Sequence, residues 1–254
     1  MLKKSKIILK KILFIVSFLL IGCSRDNPES IINPPNIPKI FPINSYSLTI
    51  TEPSGIAFNS KNNTLMVVSD GNPDIYEIDF SGVLISKLVA SGSDMEGIAL
   101  SKNCDTIYVV EEKKKQVTAF DISGNKLFSF SVDVAISDNS ALEGITIDTK
   151  SNTLYVINEK DPRMILGYSN LTEIWRKSID YASDISDIWY ESSSSCFWLI
   201  SDESAKIMKL SLNGDLISQW EIPFTKGEGI TIVNDKLYVV NDFDGKLYVF
   251  QKPI

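Results

Sequence analysis

The segments Glu96-Gly97-Ile98-Ala99-Leu100 and Ile107-Tyr108-Val109-Val110-Glu111-Glu112 form a pair that recurs along the chain. The first member returns as Ser54-Gly55-Ile56-Ala57-Phe58, Glu143-Gly144-Ile145-Thr146-Ile147, Ser186-Asp187-Ile188-Trp189-Tyr190 and Glu228-Gly229-Ile230-Thr231-Ile232. Successive copies start 42, 47, 43 and 42 residues apart. The second member returns as Leu65-Met66-Val67-Val68-Ser69-Asp70, Leu154-Tyr155-Val156-Ile157-Asn158-Glu159, Phe197-Trp198-Leu199-Ile200-Ser201-Asp202 and Leu237-Tyr238-Val239-Val240-Asn241-Asp242. From lead residue to closing acid is 16 residues in four repeats and 14 in the fifth, which has a shorter turn at Asn234-Asp235. Self-similarity at this period, with several short strands per unit, is the signature of a β-propeller. Five repeats imply five blades.

Alternation and turn residues divide each repeat into four strands. Repeat one reads Gly55–Asn59, Thr64–Ser69, Asp74–Asp79 and Val83–Val89. Repeat two reads Gly97–Ser101, Thr106–Glu111, Gln116–Asp121 and Lys126–Val132. In repeat three, Asp161-Pro162 interrupts the pattern and Gly167 weakens the third strand; repeat four ends with Asp215–Ile222. Repeat five stops after its third strand, at Phe250, while an unmatched run precedes repeat one. A propeller removes its open edge when one terminus completes the blade begun by the other. Residues 45–50 are therefore expected as the outer strand of blade five, within an all-β domain spanning 43–254.

The amino-terminal segment reads as an address. Lys3, Lys4, Lys6, Lys10 and Lys11 precede an apolar run from Ile12 to Ile21, which is too short for a spanning helix. Leu20-Ile21-Gly22-Cys23 resembles the lipobox of bacterial lipoproteins, which implies a signal peptide over 1–22 and lipidation of Cys23. Two or three acyl chains on one residue give stable anchoring. Residues 23–42 hold five of the ten prolines and read as an extended tether. Loss of the signal peptide removes five lysines and takes the net charge from −7 to −12. That acidity argues against nucleic acid as a partner and suits a domain that handles cations. The expected setting is the cell envelope, with the membrane reached through the lipid on Cys23 and the domain monomeric. Ser24, where an inner-membrane retention signal would place Asp, tilts the expectation towards the outer membrane. Cys104 and Cys196 lie in blades that are not neighbours and are expected as free thiols.

In a propeller, the lead residue of each inner strand and the acid closing each second strand arrive at the same face, near the axis. The lead positions hold Ser54, Glu96, Glu143, Ser186 and Glu228; around them stand Asp70, Glu112, Glu159, Asp202 and Asp242. Glu52, Asp94 and Asp184 sit two residues ahead of three leads. Carboxylates crowded at one pore mouth cannot all stay ionised without a counter-charge. A hard cation with oxygen ligands resolves this, and a chain with no histidine disfavours zinc or copper. The expected ion is Ca²⁺ on Glu96, Glu143 and Glu228, with Asp187 and the side chains of Asn158 or Asn241 as further donors. The competing expectation is that these carboxylates only fasten blades. Asp187 replaces the glycine of the other repeats and is expected to point into the channel or solvent. Tyr108, Tyr155, Trp198 and Tyr238 are expected in the packing between blades.

Met95-Glu96-Gly97-Ile98, Leu142-Glu143-Gly144-Ile145, Gly227-Glu228-Gly229-Ile230 and Phe197-Trp198-Leu199-Ile200-Ser201-Asp202-Glu203-Ser204 together resemble the SdiA-regulated family of bacterial propellers. The resemblance covers roughly residues 46–250 and implies a propeller outside the cytoplasm with an axial calcium. Two function classes stand. One is a non-catalytic, calcium-stabilised binding module with an unspecified small-molecule or protein ligand. The other is a Ca²⁺-dependent hydrolase of the lactonase or phytase kind, with Glu143, Glu159 or Asp202 as general base. Basic residues for a phosphate are few near that face: Lys113–Lys115, Lys160, Arg163 and Lys226.

Overall fold

A computed structural model describes residues 36–134 and 142–254. The expected signal peptide over 1–22, the expected lipidation site Cys23 and the greater part of the expected tether lie outside the described residues.

The short opening strand is β1 (Asn44–Ser47). Blade one contains β2 (Pro53–Asn59), β3 (Thr64–Ser69), β4 (Asn72–Ile78) and β5 (Leu84–Val89). Blade two contains β6 (Met95–Leu100), β7 (Thr106–Glu111), β8 (Gln116–Asp121) and β9 (Lys126–Ser131). Blade three contains β10 (Leu142–Asp148), β11 (Thr153–Asn158), β12 (Met164–Ser169) and β13 (Thr172–Ser178). Blade four contains β14 (Asp187–Glu191), β15 (Cys196–Ser201), β16 (Lys206–Ser211) and β17 (Leu216–Glu221). Blade five contains β18 (Gly227–Val233), β19 (Lys236–Asn241) and β20 (Lys246–Gln251), and β1 is its outer strand. All five sheets are four-stranded and antiparallel, and the molecule is a five-bladed β-propeller.

Strand burial follows from position in the blade. The second strands are covered on both faces; β3 and β15 are buried at every residue. Such strands read as continuous apolar runs rather than alternations. The outer strand β13 alternates between partly buried and exposed residues. Apolar side chains gather into five clusters, one for each seam between neighbouring blades.

Ring closure occurs as expected from the unmatched segment, but over a shorter length. Asn44 pairs with Val249 and Ser47 with Lys246. Leu48 donates one last hydrogen bond to the Gly245 carbonyl at 2.8 Å, and residues 48–50 then turn inward, with Ile50 buried in the seam between blades five and one. Asp161-Pro162 is a cis peptide bond, and β12 forms in full beyond it. Gly167 pairs between Tyr155 and Trp175. Cys104 and Cys196 are buried free thiols.

The inner strands approach more closely than side chains allow. A Cβ on Gly97 would lie 2.7 Å from both the Glu143 carbonyl oxygen and the Gly144 Cα. On Gly229 it would lie 2.6 Å from the Ser54 carbonyl oxygen. The glycine of Glu-Gly-Ile is thus set by strand spacing at the axis.

Candidate functional site: an acidic pore mouth

Four inner strands begin with an irregular register: the shift lies between Pro53 and Ile56, Met95 and Ile98, Leu142 and Ile145, and Gly227 and Gly229. A bulge of this kind bends the strand and re-aims a side chain. Here it affects the lead residues, three of which are Glu96, Glu143 and Glu228. Blade four keeps a regular ladder from Asp187↔Ile200 onward. Beneath the mouth, Ile56, Ile98, Ile145, Ile188 and Ile230 are all buried, so the channel floor is apolar.

The residues that end the second strands divide the work in two. The first of each pair is buried and holds the neighbouring loop. Ser69 Oγ donates to the Thr51 carbonyl at 2.7 Å, and the Asn241 amide donates to the Thr225 carbonyl at 2.7 Å. The Asn158 amide donates to the carbonyls of Lys160 at 2.6 Å and Pro162 at 2.8 Å. The amide nitrogens of Asn158 and Asn241 therefore fasten loops, while Asn158 Oδ1 is buried without a partner among the described residues. Glu111 does the same in blade two, accepting from the Ser93 N–H at 2.9 Å. In blade four Asp184, 1% exposed, accepts from the N–H groups of Asp202 and Glu203 at 3.1 Å and from the Ser201 hydroxyl.

The second of each pair belongs to the mouth. Burial, then the charges of Glu52, Asp242 and Asp94, pushes the Asp70 carboxyl up to about 6. Burial raises Glu96 to about 8, with Asp70, Glu112 and Asp94 adding to it against a hydrogen bond from Ser54. Glu143 is raised well above the carboxylate range by burial and by Glu96, Glu159, Glu112 and Glu228. Glu228 rises to about 7 through burial and Asp202, against the pull of Lys226. Burial also raises Glu159 and Asp242.

Three lysines answer part of this charge. Lys226 Nζ lies 2.7 Å from Asp202 Oδ2 and 3.6 Å from Glu228 Oε1. Lys160 Nζ lies 2.6 Å from Glu159 and 2.8 Å from Glu203. Lys113 pairs with Asp94. All three are among the few basic residues expected near this face, and each contacts mouth carboxylates.

Among the described residues, one set of carboxylates comes within ligating distance of a single point. One oxygen from each of Asp94, Glu96 and Glu112 lies within 4.8 Å of the others. Glu96 was expected there, and Glu112 was expected in the surrounding ring. Asp94 was noted only as an extra acid, and its signal was present: repeat two alone combines a lead glutamate with an acid two residues earlier. Its left-handed backbone, φ 57°, helps turn it to the mouth. Glu143 feels the charges of Glu96, Glu159, Glu112 and Glu228, and Glu228 in turn those of Asp202, Lys226 and Asp242. Asp187 lies one residue further along its strand, 2% exposed, and its Oδ2 accepts the Ile230 N–H at 2.8 Å. It is directed into the channel rather than to solvent.

Solved structures of similar architecture include the glutaminyl cyclase of Myxococcus xanthus, with a TM-score of 0.65 at 9% identity over 84% of this chain and 97% of that one. Virginiamycin B lyase of Staphylococcus aureus gives a TM-score of 0.51 at 18% identity over 81% and 69%. The Cps50 (Swd1) propeller domain of Myceliophteria thermophila gives 0.50 at 11% over 79% and 64%, so this chain spans just under two thirds of that domain. At these identities the likeness is one of fold. No curated protein matches the sequence. The SdiA-regulated family model matches residues 45–180 and 168–253, nearly the whole propeller, and the chain belongs to that family.

Proposed function

We propose that this protein is a lipid-anchored binding module of the cell envelope whose acidic mouth holds a Ca²⁺ ion. The observation that carries the metal is the convergence of Asp94, Glu96 and Glu112 within 4.8 Å. Only oxygen donors are offered, and Ca²⁺ accepts six to eight of them in flexible geometry. Around the trio, Glu96 and Glu143 are raised mainly by burial and then by carboxylate neighbours, which is the electrostatic condition a divalent cation relieves. The anchor rests on the lipobox ending at Cys23 and on the proline-rich tether.

The test is titration of the full-length protein in detergent with Ca²⁺ by calorimetry, paired with melting in chelator and in excess Ca²⁺. A single site that raises the melting temperature by mass action, and is lost in Glu96→Gln, supports the reading. Neither heat nor shift would leave the carboxylates as blade fasteners.

A second reading, a metal-dependent hydrolase, draws on Glu143 beside the trio, whose carboxyl burial and its acidic neighbours raise well above the ordinary range, as a proton-transfer group requires. It requires Ca²⁺-dependent turnover of an ester or phosphoester that Glu143→Gln abolishes.

A further inference from the structure

The face opposite the acidic mouth carries a cleft of about 640 Å³ between blades two and three. Its origin is legible from the other seams. Tyr155 of blade three has Phe197 at 4.7 Å and Tyr190 at 6.0 Å, ring centroid to centroid, both from blade four. Tyr238 of blade five has Phe80 of blade one at 5.4 Å. Tyr108 holds the corresponding place in blade two; blade three brings Tyr168 to the cleft, but at three other matching positions it carries smaller groups. Leu154 stands where blade four has Phe197, and Ile147 where blade four has Tyr190. Asn170 stands where blade one has Phe80.

The hairpin explains the last difference. Blades one, two and four close β-strands three and four with longer turns containing Gly82, Gly124 and Gly214 at positive φ. Blade three uses only Asn170-Leu171, both at positive φ (48° and 62°), between the paired Ser169 and Thr172. This is the two-residue turn with left-handed backbone at both positions. It costs blade three its covering side chain and leaves Leu171, a bulky residue in a strained conformation, half exposed at the rim. Tyr108 and Phe128, edge to face at 6.4 Å, are left partly uncovered in the cleft.

The rim is polar and basic. Asn152 and Asn170 offer amides, and Lys102 and Lys150 come from equivalent turns of adjacent blades. Neither lysine forms an ion pair with a described residue, whereas the one acid in the lining, Asp105, accepts the Ser101 hydroxyl at 2.6 Å. Uncovered aromatic faces attract the polarised C–H groups of a pyranose ring. Amide side chains both donate and accept, matching vicinal hydroxyls, and free ammonium groups attract a carboxylate. The lining is mostly polar, with the aromatic rings of Tyr108, Phe128 and Tyr168 set among amide, hydroxyl and ammonium groups, a composition that suits a hydroxyl-rich ligand. We propose that this cleft binds an acidic oligosaccharide, a uronate-bearing chain of a few residues. The site is independent of any metal at the mouth.

The experiment is calorimetric titration of the full-length protein in detergent, in chelator, with tetragalacturonate, an alginate tetramer and a hyaluronan tetrasaccharide, and with neutral maltotetraose as control. At least one uronate is expected to bind while maltotetraose binds far more weakly. The surface variant Lys102→Glu/Lys150→Glu should weaken binding at least about fivefold with unchanged melting. Leu154→Phe, which imitates the filled seam between blades three and four, should abolish it. Silence from all three uronates, equal binding of maltotetraose, or binding indifferent to both variants would overturn the proposal. Because chelator is present throughout, none of these outcomes bears on the calcium site.

Discussion

Asp187 of blade four reaches across to blade five and accepts the backbone N–H of Ile230 at 2.8 Å, from the position that holds glycine in the other repeats. Its carboxyl also occupies the space beside Gly144 of blade three, where a Cβ would meet Asp187 Oδ1 at 2.5 Å. One side chain therefore spans three inner strands. Burial raises its pKa well above the usual carboxylate range, against backbone N–H groups led by that of Ile230. Asp187→Asn is expected to be nearly neutral for stability at pH 7. Asp187→Gly, which restores the repeat pattern, should cost about 1–3 kcal/mol by leaving the Ile230 N–H unpaired. Denaturant unfolding of the two variants checks this; equal losses in both would contradict a neutral Asp187.

The mouth should make the metal-free protein sensitive to base. Glu96 at about 8, Glu228 at about 7 and Asp70 at about 6 all titrate above their ordinary values near 4. A carboxyl raised in the folded state contributes stability that is fully present below its unfolded pKa and lost as pH rises through the folded one. In chelator, the melting temperature should fall between about pH 4 and 8. If Ca²⁺ binds as proposed, it flattens this slope, binds more tightly as pH rises, and releases protons measurable by calorimetry in buffers of different ionisation enthalpy.

The opposite dependence should come from Glu191. Burial would raise this carboxyl, but the Lys252 ammonium at 2.6 Å, the Ser194 hydroxyl and the Trp198 indole N–H at 3.0 Å outweigh it and hold it at about 2. Its contribution is present above the unfolded value near 4.5 and lost as pH falls towards 2. Glu191→Gln should destabilise by about 2 kcal/mol at pH 7 and reduce the acid sensitivity of melting between pH 4.5 and 2.

Close approach at the axis predicts a large effect from one methyl group. Gly97→Ala would place its Cβ 2.7 Å from the backbone of blade three, where no flexible side chain can yield. A loss of about 2–3 kcal/mol is expected. Gly245→Ala, in an open turn with nothing within 4 Å but with φ at 61°, is the control for backbone strain alone and should cost about 1 kcal/mol.

Shortening the chain to begin at Leu48 would remove β1 and expose the edge of β20. The melting temperature should fall by roughly 5–10 °C. Self-association through the bared edge should appear in light scattering.

The propeller, its blade number and its closure were legible because each blade repeats the same solution to the same packing problem. The apolar second strands mark the same coordinates five times, and Glu-Gly-Ile marks the start of three of the five inner strands. The convergence of acids was legible for the same reason, since repetition alone brings equivalent positions to one face. What repetition hides is the difference between equivalents. The bulges ahead of four inner strands, the left-handed Asp94, and the loop-fastening roles of Asn158 and Asn241 depend on hydrogen bonds between residues distant in sequence. The cleft beside Tyr108 is hidden more deeply. It arises from what Leu154 and Asn170 are not, and only superposing the seams makes that visible.

The segment leading into β1 does more than complete a blade. Before reaching Asn44 it runs beside the end of β17, where Ile40 donates to the Glu221 carbonyl and Glu221 donates to that of Pro38, both at 2.9 Å. Lys39 adds an ion pair with Glu221 at 3.6 Å, and Ile40 packs into the seam between blades four and five. A mechanical pull on the amino terminus is thus taken up first by blade four. Only after those bonds yield does tension reach the β1–β20 ladder, so the clasp that keeps the ring shut is shielded from force applied upstream of Pro38.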